Sequence, residues 1–199
     1  AGVYGSAQNV AISSTTSASA ICYTVDASTP SCNDATCATG TLYSSAVSVA
    51  ASQTINAIAC AAGYTASSVS SAAYTMQVTT PTFSPAAGTL TWGTWISIST
   101  ITGGSNIYYT TNGSYPTTLS TPYTSQFQCI SPSFTLKSLA MKSGYLDSNV
   151  QSGNYTCLGT CTDSMKSGDE TDIDCGGATC GTCAVGKSCA VQADCSTTG

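Results

Sequence analysis

Twelve cysteines in a chain of 199 residues with no histidine set the first limit on its chemistry. A cysteine can act as nucleophile, metal ligand or half of a disulfide. The catalytic Ser/His/Asp and Cys/His arrangements all need the imidazole that is missing here. Cys180-Gly-Thr-Cys183 has the spacing of a redox or zinc motif. A structural zinc site would want a second ligand pair, and a thioredoxin-like site a βαβ context; neither is visible. An even number of cysteines among so few metal partners reads as disulfides made in an oxidising, extracytoplasmic compartment.

Three other groups of residues could carry chemistry. Gly168 to Asp174 holds four of the nine acids, and Asp169, Asp172 and Asp174 are candidates for oxygen ligation of calcium. The spacing is not that of an EF-hand, so a solvated turn is the simpler expectation. Paired carboxylates for glycoside hydrolysis would need a cleft, and a cysteine-stapled knot offers none. Asn112-Gly113-Ser114 and Asn154-Tyr155-Thr156 are glycosylation sequons. Trp92, Trp95, Tyr108 and Tyr115 have flat faces suited to sugar rings or an interface. Trp92 and Trp95 are the better candidates, because they do not recur in the repeat described below, whereas Tyr109, Tyr123 and Tyr155 return as Tyr23, Tyr43 and Tyr74.

Composition narrows the partners. Only 7% of residues are charged, against about a quarter in an average domain. Serine and threonine make up roughly a third of the chain. A net charge of −5 argues against nucleic acid, which is bound through basic patches, and against an anionic membrane surface. No apolar run is long enough to span a bilayer. The chain opens at Ala1 without a signal peptide, as expected of a mature or fragmentary form.

The elements that must position these residues are legible because the chain repeats itself. ICYTVDASTP (21–30) and IYYTTNGSYP (107–116) agree at five of ten positions, and 55–75 aligns without gaps to 136–156 at eight of twenty-one. Such a period means a small domain copied in tandem. Alternation at Val10/Ile12 and Ile96/Ile98, with no sustained helical period, predicts short antiparallel strands. The expected fold is all-β: two tandem immunoglobulin-like β-sandwiches plus a small disulfide-rich C-terminal module. The expected boundaries are 1–78, 79–157 and 158–199. Asn112-Gly113 predicts a hairpin turn, with Asp26-Ala27 its weaker counterpart. Pro81 and Pro85 restrict the opening of the second repeat to an edge strand or lead-in loop. Gly2 aligns with Gly88, so the first repeat has no counterpart of 81–86. Either an upstream segment has been removed or left out, or a strand from another chain fills that place.

The strand reading turns Ile21 and Tyr23 inward and Cys22 outward, and likewise Ile55, Ala57 and Ala59 inward and Cys60 outward. Cys22 and Cys60 are replaced together in the second repeat by Tyr108 and Met141, which predicts a Cys22–Cys60 disulfide. Cys32 and Cys37 lie in an insertion of the first repeat and are expected to staple that loop. Cys129 with Cys157 is a further expected pair. Cys161, Cys175, Cys180, Cys183, Cys189 and Cys195 allow fifteen connectivities.

Pro81-Thr82-Phe83-Ser84-Pro85, the Ile107–Pro116 turn and the Leu136–Val150 closing segment resemble the chitobiase/β-hexosaminidase C-terminal-type immunoglobulin-like module. The resemblance implies a non-catalytic β-sandwich, common as an accessory or tandem module of secreted and cell-surface proteins. Gly168 to Gly177 is similar to a cysteine-rich GDETDxDCGG module of large extracellular proteins, in which a further cysteine usually follows. These features together lead to a structural building block of an extracellular filament, surface appendage or matrix, self-associating and glycosylated. The alternatives are a carbohydrate-binding or spacer module of a larger secreted glycoside hydrolase, and an adhesin stalk.

Overall fold

The structure, a computed structural model, describes residues 1–17, 19–159, 161–162, 166–178 and 180–195. The end of the chain after Cys195, including the Ser196–Gly199 part of the tail motif, lies outside the described residues. Strands account for almost all regular structure, with a single 3₁₀ turn at Gln192–Asp194 among the described residues. The chain divides into two compact units. One comprises Ala1–Thr79 with Ile101–Ser105 and Met141–Ser148, and the other comprises Thr80–Thr100, Asn106–Ala140 and Asn149–Gly199.

The first unit contains β1 (Gly2–Tyr4), β2 (Gln8–Val10), β3 (Ala20–Thr24), β4 (Ser31–Asn33), β5 (Thr36–Thr39), β6 (Thr41–Leu42), β7 (Val47–Val49), β8 (Gln53–Cys60) and β9 (Ser70–Met76). A five-stranded sheet runs β1-β9-β8-β3-β6, accompanied by a two-stranded sheet β2-β7 and the hairpin β4-β5. Period-2 patterning decides the faces: Val47 and Val49 are buried on either side of exposed Ser48. They pack with Ile55, Tyr74 and Met76 to make the core. The segments 101–105 and 141–148 complete this unit. Leu146 exchanges backbone hydrogen bonds with Met76 and Val78, and Thr102 Oγ1 donates to the Gly5 carbonyl at 2.9 Å.

The second unit contains β10 (Thr82–Ser84), β11 (Gly88–Thr91), β12 (Trp95–Ser99), β13 (Asn106–Thr110), β14 (Thr121–Pro122), β15 (Phe127–Gln128), β16 (Ser133–Met141, ending at the unit boundary) and β17 (Gln151–Leu158). Its sheets are β11-β17-β16-β13-β14 and β10-β12-β15. Ile96, Ile98, Leu136 and Tyr155 form the core, with Phe83 and Phe134 against it.

The duplication is exact at the level of pairing register. Gly2 opposes Tyr74 in the parallel β1/β9 pair as Gly88 opposes Tyr155 in β11/β17. Tyr23 meets Tyr43 edge to face at 6.4 Å, and Tyr109 meets Tyr123 at 6.3 Å. The prolines that limited residues 81–85 to an edge are found at one: β10 is the outer strand of its sheet, pairing with β12 alone. The turns depart from expectation. Ten residues separate β13 from β14, so Asn112-Gly113 is no two-residue hairpin. Asn112 Oδ1 instead accepts from the Ser114 amide and hydroxyl, at 3.0 and 2.7 Å, with Gly113 at φ +77°. Asp26 Oδ1 holds Ser28 identically, at 3.1 and 2.6 Å, with Ala27 at φ +64°. A short side-chain acceptor mimics a backbone turn in both copies, and the carboxylate does so as well as the amide. These bonds, the Ser28 hydroxyl first, hold the Asp26 carboxyl below its ordinary value.

Candidate functional site

Among the described residues, the cysteines form no reactive group. All twelve are joined in six disulfides. In the first repeat the bonds are Cys22–Cys37 and Cys32–Cys60, which corrects the expected Cys22–Cys60 and Cys32–Cys37 pairs. Register gives the reason. In the β3/β8 pair Cys22 opposes Ile58 and Cys60 opposes Ala20, so the two cysteines are diagonal neighbours. Their Sγ atoms come within 3.5 Å without bonding to each other. Cys32 and Cys37 oppose each other across the β4/β5 hairpin. That hairpin covers the outer face of the sheet, and each of its cysteines reaches down to one of the pair below.

The face assignment itself stands: Tyr23 and Ile55 pack in the sandwich core, and Cys22, Ile58 and Cys60 form a separate cluster on the other face. The exposure expected from that assignment does not, because the hairpin leaves Cys22 0% and Cys60 1% exposed. In the second repeat Cys129 is bonded to Cys157, and both are buried beside the core.

The C-terminal segment is tied by Cys161–Cys180, Cys175–Cys183 and Cys189–Cys195. Cys180 and Cys183 are therefore not bonded to each other, and the CxxC spacing makes no dithiol. The carboxylates organise this segment's loops. Asp169 Oδ2 accepts from the Ala178 amide at 2.7 Å. Asp172 accepts from Ile173 and Ser188 amides, each at 2.7 Å. The Ser188 bond first, then the Ile173 bond, with Lys187 and Lys166 contributing, hold the Asp172 carboxyl below its ordinary range. Buried Glu170 accepts from the Ser167 amide at 2.7 Å and lies beside Cys180 Sγ. Among the described residues, the cluster of possible metal-ligating atoms is Cys161, Glu170 and Cys180. Two of its three donors are already bonded to each other. Asp169, Asp172 and Asp174 form no such cluster.

The aromatic candidates separate. Trp92 is half-buried and packs against the second core, whereas Trp95 on β12 is 51% exposed. Sequence reading passed over a groove of 390 Å³ lined by Tyr109, Phe127, Ile130 and Phe134. Tyr109 and Phe127 are stacked there at 5.0 Å. Tyr109, Phe127 and Phe134 come from three strands and Ile130 from a loop, so no local pattern announces it. The two sequons converge on Thr135, which bridges to Asn112 and opposes Asn154 in the β16/β17 pair. Thr135 Oγ1 donates to Asn154 Oδ1 at 2.9 Å, and both asparagines are exposed.

Fold and site define a tandem, disulfide-rich pair of immunoglobulin-like β-sandwiches. The chain belongs to the family of the chitobiase/beta-hexosaminidase C-terminal domain, which matches residues 1–71 and 85–152. Among solved structures it is similar to the fibronectin(III)-like modules of Clostridium thermocellum CbhA. That likeness has 12% identity, covers 79% of this chain and 88% of that one, and has a TM-score of 0.27. No curated protein sequence matches the chain. No helix among the described residues is long and apolar enough to cross a membrane.

Proposed function

We propose that the protein is a non-catalytic structural building block of an extracellular filament, surface appendage or matrix. One observation carries this reading: one sandwich is present twice in tandem with the same pairing register, the arrangement of a repeated building unit rather than of a single site. The almost uncharged, hydroxyl-rich composition supports dense packing, since little charge repulsion opposes it. Six disulfides support an oxidising, extracellular location. Glycans at Asn112 and Asn154 would add solubility on one face of the second repeat; loss of mass on enzymatic deglycosylation of native protein checks their presence.

Electron microscopy of native, non-reduced material tests the building-block reading. Ordered filaments with this chain as the repeating unit are expected; dispersed particles or flexible rods refute it.

A second reading is an accessory module of a larger secreted glycoside hydrolase that spaces domains or binds carbohydrate. The family match, the groove at Tyr109 and Phe127, and exposed Trp95 favour it. Affinity electrophoresis in soluble polysaccharide checks this, with Trp95→Ala and Tyr109→Ala as the probes. Unchanged migration of the parent chain relative to a polysaccharide-free gel would remove the carbohydrate reading.

A further inference from the structure

The four cysteines of the first repeat lie in two layers. Cys22 and Cys60 belong to the main sheet and are 0% and 1% exposed, whereas Cys32 and Cys37, on the hairpin above them, are half-buried. Each disulfide runs between the layers, Cys22 to Cys37 and Cys32 to Cys60. Within each layer the cysteines not bonded to each other are also close. Cys22 Sγ lies 3.5 Å from Cys60 Sγ, in van der Waals contact. Cys32 stands opposite Cys37 in the antiparallel β4/β5 pair. Opposed residues of such a pair have Cα atoms about 4.5 to 5.5 Å apart, inside the range that a disulfide spans. The fold therefore holds the same four sulfurs ready for a second pairing, Cys22–Cys60 with Cys32–Cys37.

Exchange between the two pairings needs a thiolate in contact with a sulfur of the bond it breaks, and about 3 to 3.5 Å is an attack distance. The hairpin sulfurs are the ones that a small thiol reaches from solvent. Its thiolate attacks Cys37 Sγ, forming a mixed disulfide there and expelling Cys22 as a thiolate. Sealed under the hairpin, Cys22 has Cys60 Sγ as its neighbour and attacks it. Cys22–Cys60 forms and Cys32 leaves as a thiolate. Cys32 then attacks the mixed disulfide at Cys37, which closes Cys32–Cys37 and returns the entering thiolate. Entry at Cys32 runs the mirror sequence, through Cys60 and Cys22, to the same product. Every bond broken is matched by one formed, no electrons are gained or lost, and the thiol acts as a catalyst.

We propose that the first repeat carries a thiol-triggered disulfide switch. A small thiol converts the crossed pairs to Cys22–Cys60 and Cys32–Cys37, and this unfastens the hairpin from the sheet. β4 and β5 pair with each other in a sheet of their own, so the crossed bonds are the hairpin's covalent hold on β3 and β8. After exchange the hairpin rests on side-chain packing alone. Its opening uncovers Ile58, which is 4% exposed beneath it. The switch belongs to the first repeat. In the second, Tyr108 and Met141 replace Cys22 and Cys60, and among the described residues its core cluster contains one disulfide, Cys129–Cys157. The proposal is independent of the building-block reading, because it needs one molecule and a thiol.

The test incubates the intact, folded chain at mildly alkaline pH with a substoichiometric amount of 2-mercaptoethanol, quenches it in acid and digests it with pepsin without reduction. In the crossed form the fragment carrying Cys32 and Cys37 stays joined to both the Cys22 and the Cys60 fragments. The exchanged form releases that fragment with an internal bond and leaves Cys22 joined to Cys60, a difference that mass spectrometry reads directly. Release is expected without new free thiol, and at least about a hundredfold faster than any change at Cys129–Cys157, whose sulfurs are buried. Amide exchange over residues 31–39 should rise at least about tenfold in the exchanged form, as the freed hairpin opens. Persistence of the three joined fragments, with or without the added thiol attached at Cys32 or Cys37, overturns the proposal. Release confined to denaturant overturns the part assigned to the folded geometry. Exchanged bonds with unchanged amide protection over residues 31–39 overturn the unfastening.

Discussion

The crossed disulfides of the first repeat make a test in which the order of two variants reverses if the pairing is wrong. Cys22–Cys37 closes a separation of 15 residues and Cys32–Cys60 one of 28. Chain entropy assigns about 3 kcal/mol to the first crosslink and about 3.6 kcal/mol to the second. The double variant Cys22→Ala/Cys37→Ala removes one bond cleanly and leaves every remaining thiol paired. It should lose about 3 kcal/mol. The double variant Cys22→Ala/Cys60→Ala breaks both bonds and strands Cys32 opposite Cys37. Even if those two join across their short loop, which restores only about 2 kcal/mol, the net loss is about 4 to 5 kcal/mol. That is comparable to the whole stability of a marginal domain. Guanidinium unfolding followed by tyrosine fluorescence gives the ranking, and thiol titration under denaturing conditions counts stranded cysteines. Cys22→Ala/Cys60→Ala proving the more stable of the two, with no titratable thiol, would refute the crossed arrangement and the register argument behind it.

Four further outcomes follow from the packing. Ser138 Oγ is buried without a hydrogen-bond partner, and the first repeat has Ala57 at that position; Ser138→Ala should stabilise the chain by about 1 kcal/mol in denaturant melts. Ala27 sits at φ +64° where the second repeat uses Gly113, so Ala27→Gly should raise stability by up to about 1 kcal/mol, read the same way. Burial raises the Tyr155 phenol above its usual 10.0, so its contribution is complete below pH 10 and is lost as pH rises through the higher folded value. Tyr155→Phe should flatten that alkaline loss in pH-dependent melts. The Asp172 carboxyl is held below 3.8, so its contribution is present above that pH and disappears as pH falls through the lower folded value. Asp172→Asn should remove this acid dependence, followed by amide exchange at Ser188.

How much of this was legible depended on whether a feature was local or came from an insertion finding its place. The repeat fixed equivalences such as Tyr74 with Tyr155, and pairing register followed from them, because side-chain direction in a strand alternates without exception between neighbours. The same alternation put Cys22 and Cys60 on one face correctly. Whether that face was wet or covered depended on where the inserted Ser31–Thr39 hairpin folded back, and period-2 patterning carries no such information. Asn112-Gly113 misled as a hairpin because its side chain closes the turn by itself, an option that Asp26 shares. The acidic run looked like a ligand set by composition, but Asp169 and Asp172 bond to the Ala178 and Ser188 amides, which lie further along the chain and which local spacing does not announce. Trp92 and Trp95, alike in failing to recur, differ because Trp92 sits in a turn packed on the core, whereas Trp95 alternates outward beside inward Ile96 on β12.

The inserted hairpin and its two disulfides distinguish the first repeat from the second. The hairpin is bonded to β3 through Cys22 and to β8 through Cys60, so both crosslinks fall on the outer face of the main sheet. Under the hairpin, Cys22, Ile58 and Cys60 are almost fully buried. In the second repeat the positions of Cys22 and Cys60 carry Tyr108 and Met141, and the single disulfide, Cys129–Cys157, lies beside the core instead. A two-stranded hairpin as short as Ser31–Thr39 is marginal by itself, so the two covalent bonds are what hold it on the sheet.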